Sequence, residues 1–209
     1  MGLFGRKRKV PSAVRPPLAA GERVLAWAAT GNGSSNDAPP ADPMSAVDGA
    51  SAVGGASVGA GGGAAGGGVL VATNLGLWLP GRGERLGWHD ILKAVWSGRE
   101  LTVTPAATAA ERDGYLVVAD GLAETYLLLD PGDLPHQVRA RVTRSVAYTQ
   151  QHPVPGGSGR IAARRVAGAD GLTWTVRYDP GTPVDADEVR AETDQLVAAA
   201  RAATAPADL

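Results

Sequence analysis

Residues 69–80 read VLVATNLGLWLP, and residues 85–103 read RLGWHDILKAVWSGRELTV. The first stretch opens with an apolar, β-branched run, Val69–Thr73. It breaks at the turn signal Asn74-Leu75-Gly76 and resumes as Leu77–Pro80, the pattern of two short strands. In the second, Arg85–Trp88 leads through His89-Asp90 into Ile91–Ser97. Gly98 then turns the chain into Leu101–Pro105, where Leu101 and Val103 alternate with threonines. Large rings bury much apolar surface per residue. With Phe only at Phe4, a β core is expected around Trp27, Trp78, Trp88 and Trp96, with Trp174 standing apart.

Upstream, Glu22 to Thr30 (ERVLAWAAT) is a further strand, preceded by a basic, proline-containing tail over residues 1–21. Between Thr30 and Val69 the composition changes. Residues 31–68 are mostly Gly, Ala, Ser and Pro, with Asp37, Asp42 and Asp48 and without Lys or Arg. Such a segment buries too little apolar surface to offset the entropy of ordering it. It is expected to be a disordered insertion within one domain, because the nine residues before it need a sheet to join.

Downstream, residues 106–113 read as a loop, and Tyr115–Ala119 and Glu124–Leu129 as a hairpin across Asp120-Gly121. Asp133 suits an N-cap and Pro135 a first helical turn. Leu134, Val138, Val142 and Val146 recur at four-residue spacing, which predicts a helix to about Gln150, stopped by Pro153, Pro155, Gly156 and Gly157. Residues 159–205 form a smaller β-β-α unit. Arg160–Val166 and Leu172–Tyr178 make a hairpin across Gly168–Gly171. A last helix is signalled by the capping-box spacing of Asp185 and Glu188, a Val184–Val189 staple, and the stripe Val189, Leu196, Val197 and Ala200. Too small to stand alone, this unit is expected to pack on the first core.

About seven strands closed by one helix resembles the pleckstrin-homology-like (PH-like) superfold, and the opening stretches look like its bacterial PH-like and GRAM-type members. There a strand ends in Thr, a turn gives Gly-Leu-Trp, and a Trp-x-x-Ile corner leads onward. The matching positions are Thr73, Gly76, Leu77, Trp78, Trp88 and Ile91. The resemblance covers roughly residues 22–152. It implies an α+β, mostly β domain, a barrel or sandwich of antiparallel strands capped by a helix, here with a C-terminal β-β-α extension. Members of the superfold bind phosphoinositides or peptides, or self-assemble, so a homo-oligomer stays open and fold alone does not decide function. The basic loop pairs that grip inositol phosphates in eukaryotic members have no clear counterpart here.

Candidate chemistry is sparse. There is no cysteine, which excludes disulfides and thiolate zinc sites. Gly61-Gly62-Gly63-Ala64-Ala65-Gly66 fits G-x-G-x-x-G, but a dinucleotide cradle needs a strand before and a helix after, and here low-complexity sequence precedes and a strand follows. His89-Asp90 is half a metal or general-base site with no further ligand at a suitable spacing among His136 and His152. Asn32-Gly33-Ser34 fits a glycosylation sequon that matters only for an exported chain. No catalytic, cofactor-binding or metal-binding residue is assigned, and no cofactor is expected. Met1–Val10 lacks the apolar run of a signal peptide, and no stretch approaches the roughly 20 apolar residues of a membrane span. The expectation is a cytoplasmic chain, in part peripheral to the inner face of the membrane.

Charge is the more informative signal. The formal net charge of −1 conceals an asymmetry. Residues 134–178 hold Arg139, Arg141, Arg144, Arg160, Arg164, Arg165 and Arg177 against a single acid, Asp170, whereas residues 179–209 are acidic. The expected arrangement is an acidic last helix lying along a basic surface and neutralising it. A sharper version makes that helix a removable cover over an anion-binding patch. Arg6, Lys7, Arg8 and Lys9 form a polybasic tail that an anionic membrane would attract by about 1 kcal/mol per residue. Candidate anion or partner contacts are therefore Arg6, Lys7, Arg8, Lys9, Arg139, Arg141, Arg144, Arg164 and Arg165. The bias of Arg over Lys, with much Ala and Gly, is that of GC-rich coding of the actinobacterial kind, and no mechanism follows from it. The expected function is a non-enzymatic module for protein–protein or weak membrane-surface binding. The alternatives are a nucleic-acid-binding accessory protein, which the near-neutral charge argues against, and a small enzyme with an unrecognised site.

Overall fold

Short β-branched runs separated by turn residues satisfy their backbone only by pairing with one another. The computed structural model describes residues 9–31 and 67–204, and there the pairing gives two sheets. The first is a four-stranded antiparallel meander of β1 (Val24–Ala29), β2 (Val69–Thr73), β3 (Gly76–Trp78) and β4 (Arg85–Gly87). β1 and β2 are direct neighbours. The Thr30 N–H donates to the Gly68 carbonyl at 2.9 Å, which sets the two flanks of residues 31–68 side by side.

The second sheet has seven strands: β5 (Ile91–Ser97), β6 (Glu100–Arg112), β7 (Tyr115–Asp120), β8 (Glu124–Leu127), β9 (Val146–Val154), β10 (Gly157–Arg165) and β11 (Leu172–Tyr178). Their order is β5-β6-β7-β11-β10-β9, with β8 paired to the edge of β6 opposite β5. The long strand β6 joins two units. Its first half pairs with β5 and β8, and its second half pairs with β7, which runs parallel to β11. Helices α1 (Leu134–Ser145) and α2 (Asp187–Thr204) complete the architecture, which is α+β and mostly β.

Backbone bonds curl the first sheet onto the second. Thr30 bridges Leu128, the Gly31 N–H donates to the Leu127 carbonyl, and the Leu129 N–H donates to the Ala29 carbonyl, both at 2.9 Å. The half-barrel so formed holds Leu70, Leu77, Trp88, Ile91, Leu101 and Leu128, and α1 closes it with Leu134 and Val138. A second core lies between α2 and the strands β7, β11 and β10. It comprises Tyr115, Val117, Ile161, Ala163, Trp174, Val176, Val197 and Ala200.

The residues that carry the family resemblance are buried and structural. Glu22, whose side chain is fully buried, accepts hydrogen bonds from the Thr73 hydroxyl (2.7 Å), the Trp78 indole (3.0 Å), the Ala19 N–H (2.9 Å) and Arg85 (2.9 Å). The Trp88 indole donates to the Thr73 carbonyl at 3.1 Å. Gly76 is required at its position, since a Cβ there would lie 2.4 Å from the Leu86 carbonyl oxygen. Arg164 is buried where the two units meet, donating to the Ile91 carbonyl (3.0 Å) and the Ser145 hydroxyl (3.2 Å).

Several expectations are corrected. The predicted helix to Gln150 ends at Ser145, and Val146–Val154 is a strand. Spacing extended the helix through Val146, but Tyr148, Thr149 and Pro153 suit a strand at a sheet edge, where a missing N–H is tolerated. Residues 106–112 are the second half of β6, held extended by β7 despite an alanine-rich sequence. β7 and β8 do not form a hairpin across Asp120-Gly121, because each pairs with β6. The hairpin across Gly168–Gly171 is present as β10–β11, but the extension has a third strand of its own, β9. α2 begins at Asp187, and the Arg190 N–H donates to the Ala186 carbonyl, so Ala186 rather than Asp185 stands at its start. Trp78 and Trp88 are core, whereas Trp27 is half-buried and Trp96 is 37% exposed.

Candidate functional site

The sequence gathers nine basic residues as one candidate set, and the fold separates them. Arg6, Lys7 and Arg8 lie outside the described residues. Lys9 and Arg15 line a cleft of about 590 Å³ against β1 and the loop before α1, together with Trp27, Asp130 and Asp133. The signs are mixed there. Arg164 is the buried strut, and burial lowers its pKa. Arg165 donates to the Arg144 and Val146 carbonyls at 3.4 and 3.5 Å, so it satisfies the C-terminal end of α1. At about 100° per residue, Arg141 and Arg144 share one side of α1 and Arg139 lies well round from both.

The acidic last helix does not ion-pair with this surface among the described residues. Among the described residues, no acid of α2 forms an ion pair with an arginine of residues 134–178, and Arg177 pairs instead with Asp120 of β7 at 2.9 Å. α2 docks through apolar side chains and a hydrogen-bonded layer. The surface beneath it is the aromatic and aliphatic face of the sheet rather than an anion-binding patch.

The histidines stand apart. His89 Nε2 is 3.4 Å from Asp90 Oδ2, and His136 Nδ1 is 3.5 Å from Asp133 Oδ1. His152 is fully buried against Thr193. Among the described residues, no three His, Cys, Asp or Glu side chains converge as a metal site would require. The G-x-G-x-x-G stretch and the sequon lie outside the described residues. No helix among the described residues is long and apolar enough to cross a membrane.

The feature with a built shape is a groove of about 460 Å³ between β5 and α1. β5 supplies Ala94, Val95 and Trp96 to it, β6 supplies Leu101, and α1 supplies Pro135, His136, Val138 and Arg139. β5 ends the sheet order, so one side of its backbone lacks a strand partner among the described residues. Val95 (41% exposed) and Trp96 (37%) are adjacent on this edge. Lys93 is exposed on the same strand, and α1 carries Arg139, Arg141 and Arg144 without a single acid. Exposed edges are ordinarily blunted, and an apolar pair beside an unpaired backbone is what an added strand would use. The sequence pattern points to Arg139 but puts Trp96 in the core. The signal for exposure is the run Lys93 to Ser97, where Val95 and Trp96 are consecutive, so they cannot both face one core, and Lys93 and Ser97 bound them.

No protein-family model matches the chain, and no curated protein or solved structure matches it either.

Proposed function

We propose that this chain is a non-enzymatic interaction module of PH-like type, and that its β5–α1 groove takes an extended, acidic and apolar segment of a partner protein. The observation that carries this reading is the exposed Val95–Trp96 pair on an edge strand facing a helix with three arginines and no acid. The partner's backbone adds to β5 as a further strand, which supplies affinity irrespective of sequence. An apolar partner side chain fills the slot walled by Trp96, Leu101 and Val138, and a carboxylate meets Arg139 or Lys93. Aromatic and arginine side chains are the types that dominate such interfaces, and truncating one anchor costs about 2 kcal/mol or more, roughly 30-fold in Kd.

The test is selection of a randomised nine-residue peptide display library on the chain, with phosphatidylserine vesicles and duplex DNA as parallel arms. The expected result is enrichment of peptides mixing acidic and apolar residues. Trp96→Ala should abolish that enrichment, and Arg139→Glu should turn it toward basic peptides. An absence of peptide enrichment, or enrichment indifferent to both substitutions, overturns the proposal. So does retention on vesicles or DNA that outcompetes every peptide.

A further inference from the structure

The layer between α2 and its sheet contains a hydroxyl whose proton can be placed. Thr193 Oγ1 lies 2.6 Å from the Val189 carbonyl, 2.6 Å from the Tyr178 hydroxyl and 2.8 Å from His152 Nε2. A carbonyl only accepts, so the one hydroxyl proton of Thr193 goes to Val189. Thr193 must then accept from both other groups. Tyr178 donates to it, and so does His152, which fixes the proton of the neutral imidazole on Nε2. His152 Nδ1 is left as a bare lone pair, buried and without a partner among the described residues.

A second proton on this ring would create a buried cation with an N–H that has no acceptor. Its surroundings offer little relief. β10 faces His152 with Gly159, which brings no charge. β11 brings Tyr178, whose hydroxyl is already engaged with Thr193 and Arg112. Arg112 of β6 is itself a cation; it donates to the Tyr115 and Tyr178 hydroxyls and to the Val184 carbonyl. From α2, Asp194 accepts from Tyr115 at 2.7 Å, and among the described residues only the charge of Glu192 favours a protonated ring. Tyr115, pushed up to about 12 by burial, does not titrate in the physiological range.

We propose that α2 is a latch over the apolar face of Tyr115, Val117, Ile161, Trp174 and Val176, and that protonation of His152 opens it. Burial pushes the ring below its ordinary value of about 6.5 and outweighs Glu192. The sign follows from linkage. The docked state holds the ring neutral and the released state binds the proton, so docking is at full strength above about pH 6.5 and weakens as pH falls toward the docked-state value. One proton taken up on release shifts the equilibrium by up to about tenfold at pH 5.5.

Hydrogen–deuterium exchange of the full chain tests this, with protection factors for α2 amides compared at pH 7.5 and 5.5 and α1 as the internal control. That window lies above the range where ordinary carboxylates take up protons. The expected result is a fall of up to tenfold in α2 protection with α1 unchanged, and loss of the pH dependence in His152→Gln, whose amide still donates to Thr193. Equal α2 protection at both pH values overturns the proposal, as does a fall that persists in His152→Gln. Should that variant fail to fold, 15N spectra of the wild-type imidazole decide. A neutral ring protonated at Nε2 at pH 7.5 supports the latch, and an Nδ1–H or charged ring overturns it.

Discussion

Helix α1 enters the half-barrel with Leu134 and Val138, both fully buried, and its side chains facing solvent include arginines without acids. Helix α2 lies on its sheet with Val189, Val197 and Ala200, but one of its four buried positions is a hydroxyl, Thr193, that bonds to a buried histidine. The two helices face the same packing requirement with different interfaces. The plug of Leu134 and Val138 has no titratable part, and the one buried hydroxyl of α1, Ser145, meets Arg164, a side chain that keeps its proton, so α1 is a fixed wall against which β5 can present a groove. A hydrogen-bonded layer is strong only while each proton sits on the right atom, so α2 is the conditional element. Both helices are amphipathic in sequence, and what separates them is the chemistry under each.

The comparison breaks most readily at the plug. Leu134→Ala should destabilise the chain by about 2–5 kcal/mol, since it leaves a cavity that the curled sheet cannot close. Val197→Ala, in the second core, removes fewer carbons and should cost about 1–3 kcal/mol, at roughly 0.8 kcal/mol per methylene plus a cavity term. Urea unfolding followed by tryptophan fluorescence measures both. A larger loss for Val197→Ala would mean that the α2 interface, rather than the half-barrel, dominates stability.

A smaller effect separates the two units by pH. Burial alone would raise the carboxyl of Glu22, but hydrogen bonds from Thr73, Ala19 and Trp78 and the charge of Arg85 hold it below its usual range. A folded-state value below the unfolded one means that this contribution is complete above about pH 4.5 and is lost as pH falls through the folded value. Glu22 therefore withdraws its support from the half-barrel only below about pH 4.5, whereas the latch proposed for α2 responds from about pH 6.5. Glu22→Gln leaves the geometry near native but unbalances Arg85, and should cost about 1–3 kcal/mol at pH 7. It should also flatten the stability profile between pH 5 and 3. An unchanged slope there would remove Glu22 as the acid-sensitive group of the half-barrel.

The half-barrel was legible because its signals are local. Val69–Thr73, Leu77–Pro80 and Ile91–Ser97 each carry a strand pattern bounded by turn residues, and a strand stands at each, the second as Gly76–Trp78. The extension was half-legible. Leu172–Tyr178 alternates cleanly and pairs as expected, but Ala106–Arg112 has no β preference of its own and is extended only because β7 lies beside it. The parallel pairing of β7 with β11 joins residues far apart in the chain, and no local pattern encodes it. For the candidate site, the charge of α1 could be counted from the sequence. The separation of its arginines from Arg164 could not, because a buried strut and a surface contact are the same letter. Thr193 carries no signal in the sequence, because a hydroxyl in an apolar stripe gains meaning only once His152 stands opposite.

The smallest expected effect bears on the groove. Trp96 is a large ring on the edge of β5, and a ring in the core would be among the costliest side chains to truncate, at about 3–5 kcal/mol. More than a third exposed, it instead should lose only about 0.5 kcal/mol on Trp96→Ala, as substitutions at surface positions commonly do. The same holds for Arg139→Glu, whose guanidinium makes no hydrogen bond or ion pair among the described residues. The measurement is a urea midpoint for each variant against wild type, taken on the preparations used for peptide selection. Near-identical midpoints with lost peptide enrichment would separate recognition from folding and set the β5 edge apart from both helices as a surface kept for a partner. A drop of several kcal/mol in Trp96→Ala would place the ring among the supports of α1, and the groove would then be a seam of the half-barrel.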